Sequence, residues 1–253
     1  MGKSLGFSKE EFSIICDVFG INRLICFETE EELILEESTI AQIYYQTLFQ
    51  LCKKGYIIFE ETNFVLSKEV KTMFSILEKC ENVVSISTKD EYVPGYCIYF
   101  SDEDDFVLMR GGTRTGEYVK IEMLSRDEFL TFLKESEVLL PETLWEDFPD
   151  MYTQHDMMGE QLKEFLESGN LENADNLWEI PQVSSLFRIQ NPRNGKKKCY
   201  LAVVKQPIQD RIMVINEENI QIFTYTEKKM LELLQEVQEK KYGIGGCDCS
   251  QCE

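Results

Sequence analysis

Imidazole is almost absent from this sequence: among 253 residues there is a single histidine, His155. It sits in Met-Tyr-Thr-Gln-His-Asp-Met-Met with no serine or cysteine motif around it, so histidine-assisted nucleophilic catalysis has nothing to act with. The better reading is a surface or capping histidine. Positive charge is also scarce, with 26 basic residues against 46 acidic ones and a formal charge of −20. Such a balance repels phosphate backbones and anionic bilayers, which argues against nucleic acid as a partner. It serves either solubility alone or the attraction of a basic partner. Long apolar runs are missing too. No segment approaches the roughly 20 apolar residues of a membrane span, and Met1 to Phe7 lacks the apolar core of a signal peptide. The expectation is a cytoplasmic protein without membrane insertion.

Thiols are present but dispersed. Cys16, Cys26, Cys52, Cys80, Cys97 and Cys199 stand singly, mostly beside apolar neighbours, where a reduced thiol behaves as a small hydrophobe. No disulfide framework is expected from that spacing. Cys247, Cys249 and Cys252 are different, because they crowd a glycine-rich tail at residues 243–253. Three thiolates are a candidate soft-metal site without a clear fourth ligand; the plainer reading is a reduced tail. No cofactor is expected.

The chain divides into two halves, 1–141 and 142–242, before that tail. In the first, Ser8 and Glu11 have capping-box spacing, with Phe7 and Phe12 placed as a hydrophobic staple and Gly20 as a stop. A second helix runs from about Thr39 with Ile40, Ile43, Tyr44, Leu48 and Leu51 at helical spacing, ending at Lys53-Lys54-Gly55. Tyr56 to Glu60 and Phe64 to Leu66 read as a hairpin, and Ser67 caps a helix through about Lys79.

The period then changes from helical to alternating. Val83 to Ser87, Tyr96 to Phe100, Phe106 to Arg110 and Tyr118 to Leu124 are expected as antiparallel strands. A second capping box, Ser125 with Glu128, opens a helix carrying Phe129, Phe132 and Leu133. After a helical and irregular stretch at Glu142 to Trp178, where Leu162, Phe165 and Leu166 form the clearest stripe, the pattern recurs. Leu186 to Gln190, Tyr200 to Lys205, Arg211 to Asn216 and Ile220 to Tyr225 precede a helix capped by Thr226 with Met230, Leu233, Leu234 and Val237. Cys97 to Glu135 thus matches Tyr200 to Glu236 in order and spacing, a pseudo-twofold duplication of strand, strand, strand and helix. The fold class expected is α+β.

Candidate phosphate and cation sites fail on spacing. Gly111-Gly112-Thr113-Arg114-Thr115-Gly116 lacks the lysine and serine or threonine of a P-loop, so a hairpin turn is preferred. Asp102, Glu103, Asp104 and Asp105 lack the alternation, central glycine and distal glutamate of an EF-hand loop. Carboxylates are plentiful, yet no spacing singles out a catalytic pair, and no enzyme is expected.

Several apolar segments occur in a recognisable order: Phe7 to Gly20, Leu51-Cys52-Lys53-Lys54-Gly55-Tyr56, Met73-Phe74-Ser75-Ile76-Leu77, Phe106-Val107-Leu108-Met109-Arg110 and the closing Leu139-Leu140-Pro141. In this layout the chain resembles the EspG family of ESX (type VII) secretion-associated proteins over almost its whole length, excluding the cysteine tail. The resemblance implies an antiparallel sheet flanked by two helical subdomains about a pseudo-twofold axis. It also implies a cytosolic chaperone that holds the hydrophobic tip of a helical secretion substrate. The chain is rich in Lys, Glu, Ile and Phe where family members are rich in Ala and Arg, so the substrate extends to other helical-hairpin export proteins. By analogy the partner-binding candidates are the tip formed by Arg110, Gly111, Gly112, Thr113, Arg114, Thr115 and Gly116, and Lys229, Glu232 and Glu236 on the last helix. Two further readings stand beside this one: an acidic immunity protein that neutralises a basic toxin, and a winged-helix regulator suggested by Phe7 to Leu66.

Overall fold

The structure is a computed structural model and describes residues 3–21, 24, 37–60, 63–89, 95–100, 105–110, 118–136, 138–139, 160–206 and 209–238. The first half contains β1 (Ser4–Ser8), α1 (Lys9–Val18), α2 (Glu37–Lys53), β2 (Ile57–Glu60), β3 (Asn63–Leu66) and α3 (Lys68–Lys79). It continues with β4 (Val83–Thr88), β5 (Tyr96–Phe100), β6 (Asp105–Arg110), β7 (Tyr118–Ser125) and α4 (Arg126–Glu135). The second half contains α5 (Glu160–Ser168), a 3-10 turn (Ala174–Glu179), β8 (Val183–Gln190), β9 (Lys197–Val204), β10 (Arg211–Ile215), β11 (Ile220–Thr224) and α6 (Glu227–Gln238). The protein is therefore α+β, with nine strands in one antiparallel sheet ordered β1-β7-β6-β5-β4-β8-β9-β10-β11 and β2-β3 as a separate hairpin.

Local signals place the helices. At α1 the Ser8 backbone N–H donates to Glu11 Oε2 (2.8 Å) while the Glu11 N–H donates to Ser8 Oγ (3.2 Å), closing the capping box. Phe7 and Phe12 meet edge to face at 5.8 Å, as a staple should. The left-handed φ of +66° at Gly20 and +72° at Gly55 follows α1 and α2, conformations that cost glycine nothing.

Alternation along the strands divides the core between the two faces of the sheet. One face, with Ile86, Ile98, Leu108, Phe187 and Leu201, is covered by Phe129, Phe132 and Leu133 of α4 and by Met230, Leu233 and Leu234 of α6. The other face is covered in two parts. Phe12, Ile15, Val70, Met73 and Phe74 from α1 and α3 pack on Tyr99, Val107 and Ile121. Leu162 and Phe165 of α5 with Leu177 of the 3-10 turn pack on Leu186, Tyr200 and Met213.

The two meanders run in step from the β4–β8 seam outward. Ile86 faces Phe187 across the seam; Ile86 faces Tyr96 while Phe187 faces Leu201. Tyr96 faces Arg110 while Leu201 faces Val214, and Arg110 faces Lys120 while Val214 faces Gln221. Lys120 and Gln221 are thus reached by the same steps. They are 101 residues apart (120 to 221), as are Ile86 and Phe187 (86 to 187) and the two helix caps Ser125 and Thr226 (125 to 226).

Three features depart from the sequence expectations. β1 was not anticipated, because its five residues hide their alternation behind two serines and Gly6. The Tyr118 hydroxyl lies over Gly6, 1.4 Å from where a Cβ would stand, so any larger residue there would have to displace that side chain. α2 buries its expected stripe only in part: Leu51 is buried and Leu48 packs against the core, while Ile43 and Tyr44 are exposed. Cys97 is disulfide-bonded, against the expectation of dispersed reduced thiols, because pairing depends on proximity in space that chain spacing does not report. Cys16, Cys52, Cys80 and Cys199 are free. Among the described residues, no helix is long and apolar enough to cross a membrane.

Candidate protein-binding surface

A helix that is apolar on more than one side cannot bury all of it against a single neighbour. α2 is such a helix: with Leu51 turned into the core, Tyr45 and Phe49 are left 71% and 67% exposed. The hairpin that α2 touches behaves alike. Phe59 and Phe64 face each other across β2–β3 with rings 5.2 Å apart, both exposed. Of the ten large hydrophobics exposed in the described residues, eight fall between Val18 and Phe64, the stretch of chain that holds α2 and the hairpin.

Between α2 and the start of β7 lies an open groove of about 690 Å³ whose walls include Tyr45, Phe49, Tyr118, Glu11 and Lys54. Its floor is braced. Glu11, 5% exposed, accepts from the Lys54 ammonium at 2.5 Å and from the Ser8 N–H, so the buried carboxylate is paired and hydrogen-bonded. Lys54 also donates to the Gly6 carbonyl (3.2 Å), and the Tyr56 hydroxyl accepts from the Gly6 N–H (3.0 Å). These bonds tie the C-terminal end of α2 to β1 and the α1 cap, giving the aromatic groups above them a rigid base. The arrangement offers aromatic area and a few polar anchors, suited to holding an apolar protein surface.

The candidates named from the sequence fare differently. Residues 111–116 and the Arg110 side chain lie outside the described residues, as do His155, Asp102 to Asp104 and Cys247, Cys249 and Cys252. On α6, Lys229 stands 4.7 Å from the Phe223 ring centroid and 3.6 Å from Glu232, and Lys228 reaches Glu232 at 3.8 Å. Glu236 is half-buried on the same helix. This is a charged, self-paired helix face with little apolar area to offer.

Groups with chemical potential elsewhere serve the fold. Burial pushes the thiols of Cys16, Cys80 and Cys199 up to about 12, leaving them poor nucleophiles. Asp175 accepts from Arg188 Nε (2.8 Å) and Lys197 Nζ (2.6 Å), while Arg188 also donates to Ser87 Oγ (2.8 Å). That network pins the 3-10 turn to the β4–β8 seam. No group of three or more His, Cys, Asp or Glu side chains is placed to hold a metal ion among the described residues.

Strand alternation and helical stripes do not single out Tyr45, Phe49, Phe59, Phe64 and Tyr118 as a surface. The available signal was the excess: Tyr45 and Phe49 extend apolar character beyond the stripe that Tyr44, Leu48 and Leu51 belong to. Scanned against protein-family models the chain matches none, and a search of curated proteins returns no match.

Proposed function

We propose that this protein is a non-enzymatic adaptor or chaperone that holds an apolar helical protein on the aromatic surface of α2 and the β2–β3 hairpin. The observation that carries the reading is the exposure of Tyr45 and Phe49 on a groove with a braced polar floor, with the exposed Phe59–Phe64 pair on the hairpin that α2 touches. An amphipathic helix laid along such a surface buries its own apolar stripe, and the net charge of −20 favours a partner with basic flanks. The class of partner follows from the EspG-like layout: a helical secretion substrate of a type VII-like system, kept soluble in the cytoplasm.

The architecture is read as two repeats about a pseudo-twofold axis through Ile86 and Phe187. Three observations support it. The ladders keep step to equivalent caps 101 residues apart, Ser125 and Thr226. The buried positions of the following helices coincide, Phe129 with Met230, Phe132 with Leu233 and Leu133 with Leu234. Their contacts are exchanged by the same operation: Arg126 donates to Gln235 (2.6 Å) and Lys134 pairs with Glu227 (2.7 Å). Reciprocal contacts of this kind characterise an isologous interface.

The test is copurification from native cytosol at low and high salt, using the whole chain and a Tyr45→Ala/Phe49→Ala variant. Recovery of a helical export protein at both salts, lost in the variant, supports the reading. A basic enzyme recovered only at low salt favours the immunity reading instead, because that interface would be electrostatic. Absence of any partner, or capture unaffected by the two alanines, sinks the proposed surface.

A further inference from the structure

Among the described residues, the outer edge of β7 is occupied and the outer edge of β11 is not. We propose that β11 accepts an extended segment of a partner protein as a tenth strand of the sheet, antiparallel to β11 and apolar at alternate residues. The proposal rests on the repeat reading above and concerns a different surface from the α2 groove.

The template is inside the molecule. β1 lies antiparallel on β7 with Leu5 opposite Ile121 and Phe7 opposite Val119. Under that cover Ile121 is 0% exposed and Val119 is 4% exposed. The same ladder steps lead to Ile222 and Ile220 on β11, where Ile222 is 44% exposed and Ile220 only half-buried. β11 is the last strand of the sheet, so among the described residues its outer side has no neighbouring strand. Ile121 lies under both β1 and the α1–α3 helices, and Ile222 lacks a neighbouring strand among the described residues as well as that larger helical cover.

Backbone polarity agrees. The Asn216 N–H donates to the Asn219 carbonyl (3.2 Å) and the Tyr225 N–H to the Asp210 carbonyl (2.9 Å), so 219 and 225 turn toward β10. Alternation then turns the backbone groups of Ile220, Ile222 and Thr224 outward. The parity matches β7, where the Met123 N–H donates across to Lys3 of the β1 segment (2.9 Å). Ile220 and Ile222 therefore present outward hydrogen-bonding groups and under-covered side chains at once, which is what strand addition uses.

The guest's character follows from its surroundings. Tyr118, whose hydroxyl lies over Gly6, is replaced in register by Asn219, so the middle of the guest need not be small. An antiparallel guest ends beside the turn that carries the exposed Glu217 and Glu218, which suits a basic residue just after its last apolar one. That preference, with the −20 charge of this chain, selects a foreign segment over a second copy.

The probe is a fluorescein-labelled peptide of the β1 sequence, Lys-Ser-Leu-Gly-Phe-Ser-Lys, titrated by anisotropy against the whole chain. Saturable binding is expected, weakened about tenfold or more by Ile222→Lys, which sets an unpaired charge on the edge, or by Ile222→Pro, which deletes an outward N–H. Thermal melts verify that both variants fold; should the proline lower the melt, the lysine variant, which keeps the backbone intact, decides. Binding is expected to survive Tyr45→Ala/Phe49→Ala, separating this edge from the groove. The proposal is overturned by any of three results: no binding at about 1 mM protein, equal binding by the Ile222 variants, or equal binding of a peptide with Leu and Phe replaced by Ser. Sedimentation showing a dimer that Ile222→Pro dissociates would also overturn it, in favour of self-association.

Discussion

The two flanks of the sheet carry the same ladder and differ in what covers it. Beyond β7 the chain supplies β1, and α1 to α3 bury its inner face so that Phe7, Phe12 and Phe74 are fully enclosed. Beyond β11 it supplies no described strand, and the inner face rests on the smaller group of α5 and the 3-10 turn. On the repeat reading, the common element is the four-stranded meander with its capped helix, and the additions decide which surface each half leaves open. On the first half the open surface is the aromatic back of α2. On the second it is a strand edge.

The largest effect that would break this comparison is expected from Phe7→Ala. The ring contacts Phe12, Tyr56 and Phe74, and its loss should cost about 3–5 kcal/mol in denaturant-unfolding experiments. Next, Leu133→Ala and Leu234→Ala occupy equivalent buried positions and should each cost about 2–5 kcal/mol. A gap between the two costs of more than about 2 kcal/mol would count against the repeat reading, whatever becomes of the β11 edge. The caps sharpen the comparison further. Ser125→Ala and Thr226→Ala should each cost about 1 kcal/mol, with Ser125 the larger, because Glu128 returns a bond to its N–H (3.1 Å) where the third helical residue after Thr226 is a lysine.

The smallest expected effect is a pH dependence at the seam. Partial burial pushes the Asp175 carboxyl up, but Lys197 and Arg188 outweigh it and hold the group below its ordinary value of 3.8. A depressed folded value contributes stability that is present above the unfolded value and lost as pH falls through the folded one. Asp175→Asn should therefore flatten the acid limb of a stability profile below pH about 3.9, by less than about 1 kcal/mol given the exposure of the group. An unchanged acid limb would remove Asp175 as its source.

Much of the frame was legible from local chemistry. Ser8 with Glu11 and Ser125 with Glu128 announced helix starts because the cap is a bond between near neighbours, and alternation revealed β4 to β11 because their faces bury different side chains. β1 was not legible, since what makes it a strand is Tyr118 and Ile121 more than a hundred residues away. The same limit hid the α2 surface. Its periodicity shows several apolar positions, but only the partners folded against it determine that Leu51 is covered while Tyr45 and Phe49 are not. The Gly111 to Gly116 tip lies outside the described residues, and on α6 Glu232 is shared by Lys228 and Lys229.

Sequence distance gives the β1–β7 ladder a further consequence. Most ladders of the sheet join neighbours in the chain, but Ser4 meets Glu122 and Val83 meets Gln190, spans of 118 residues (4 to 122) and 107 residues (83 to 190). Local meanders close early, and pairings that must first close such loops come late. The strand that covers β7 is therefore held by the least local pairing of the sheet, the one whose loop costs most to close.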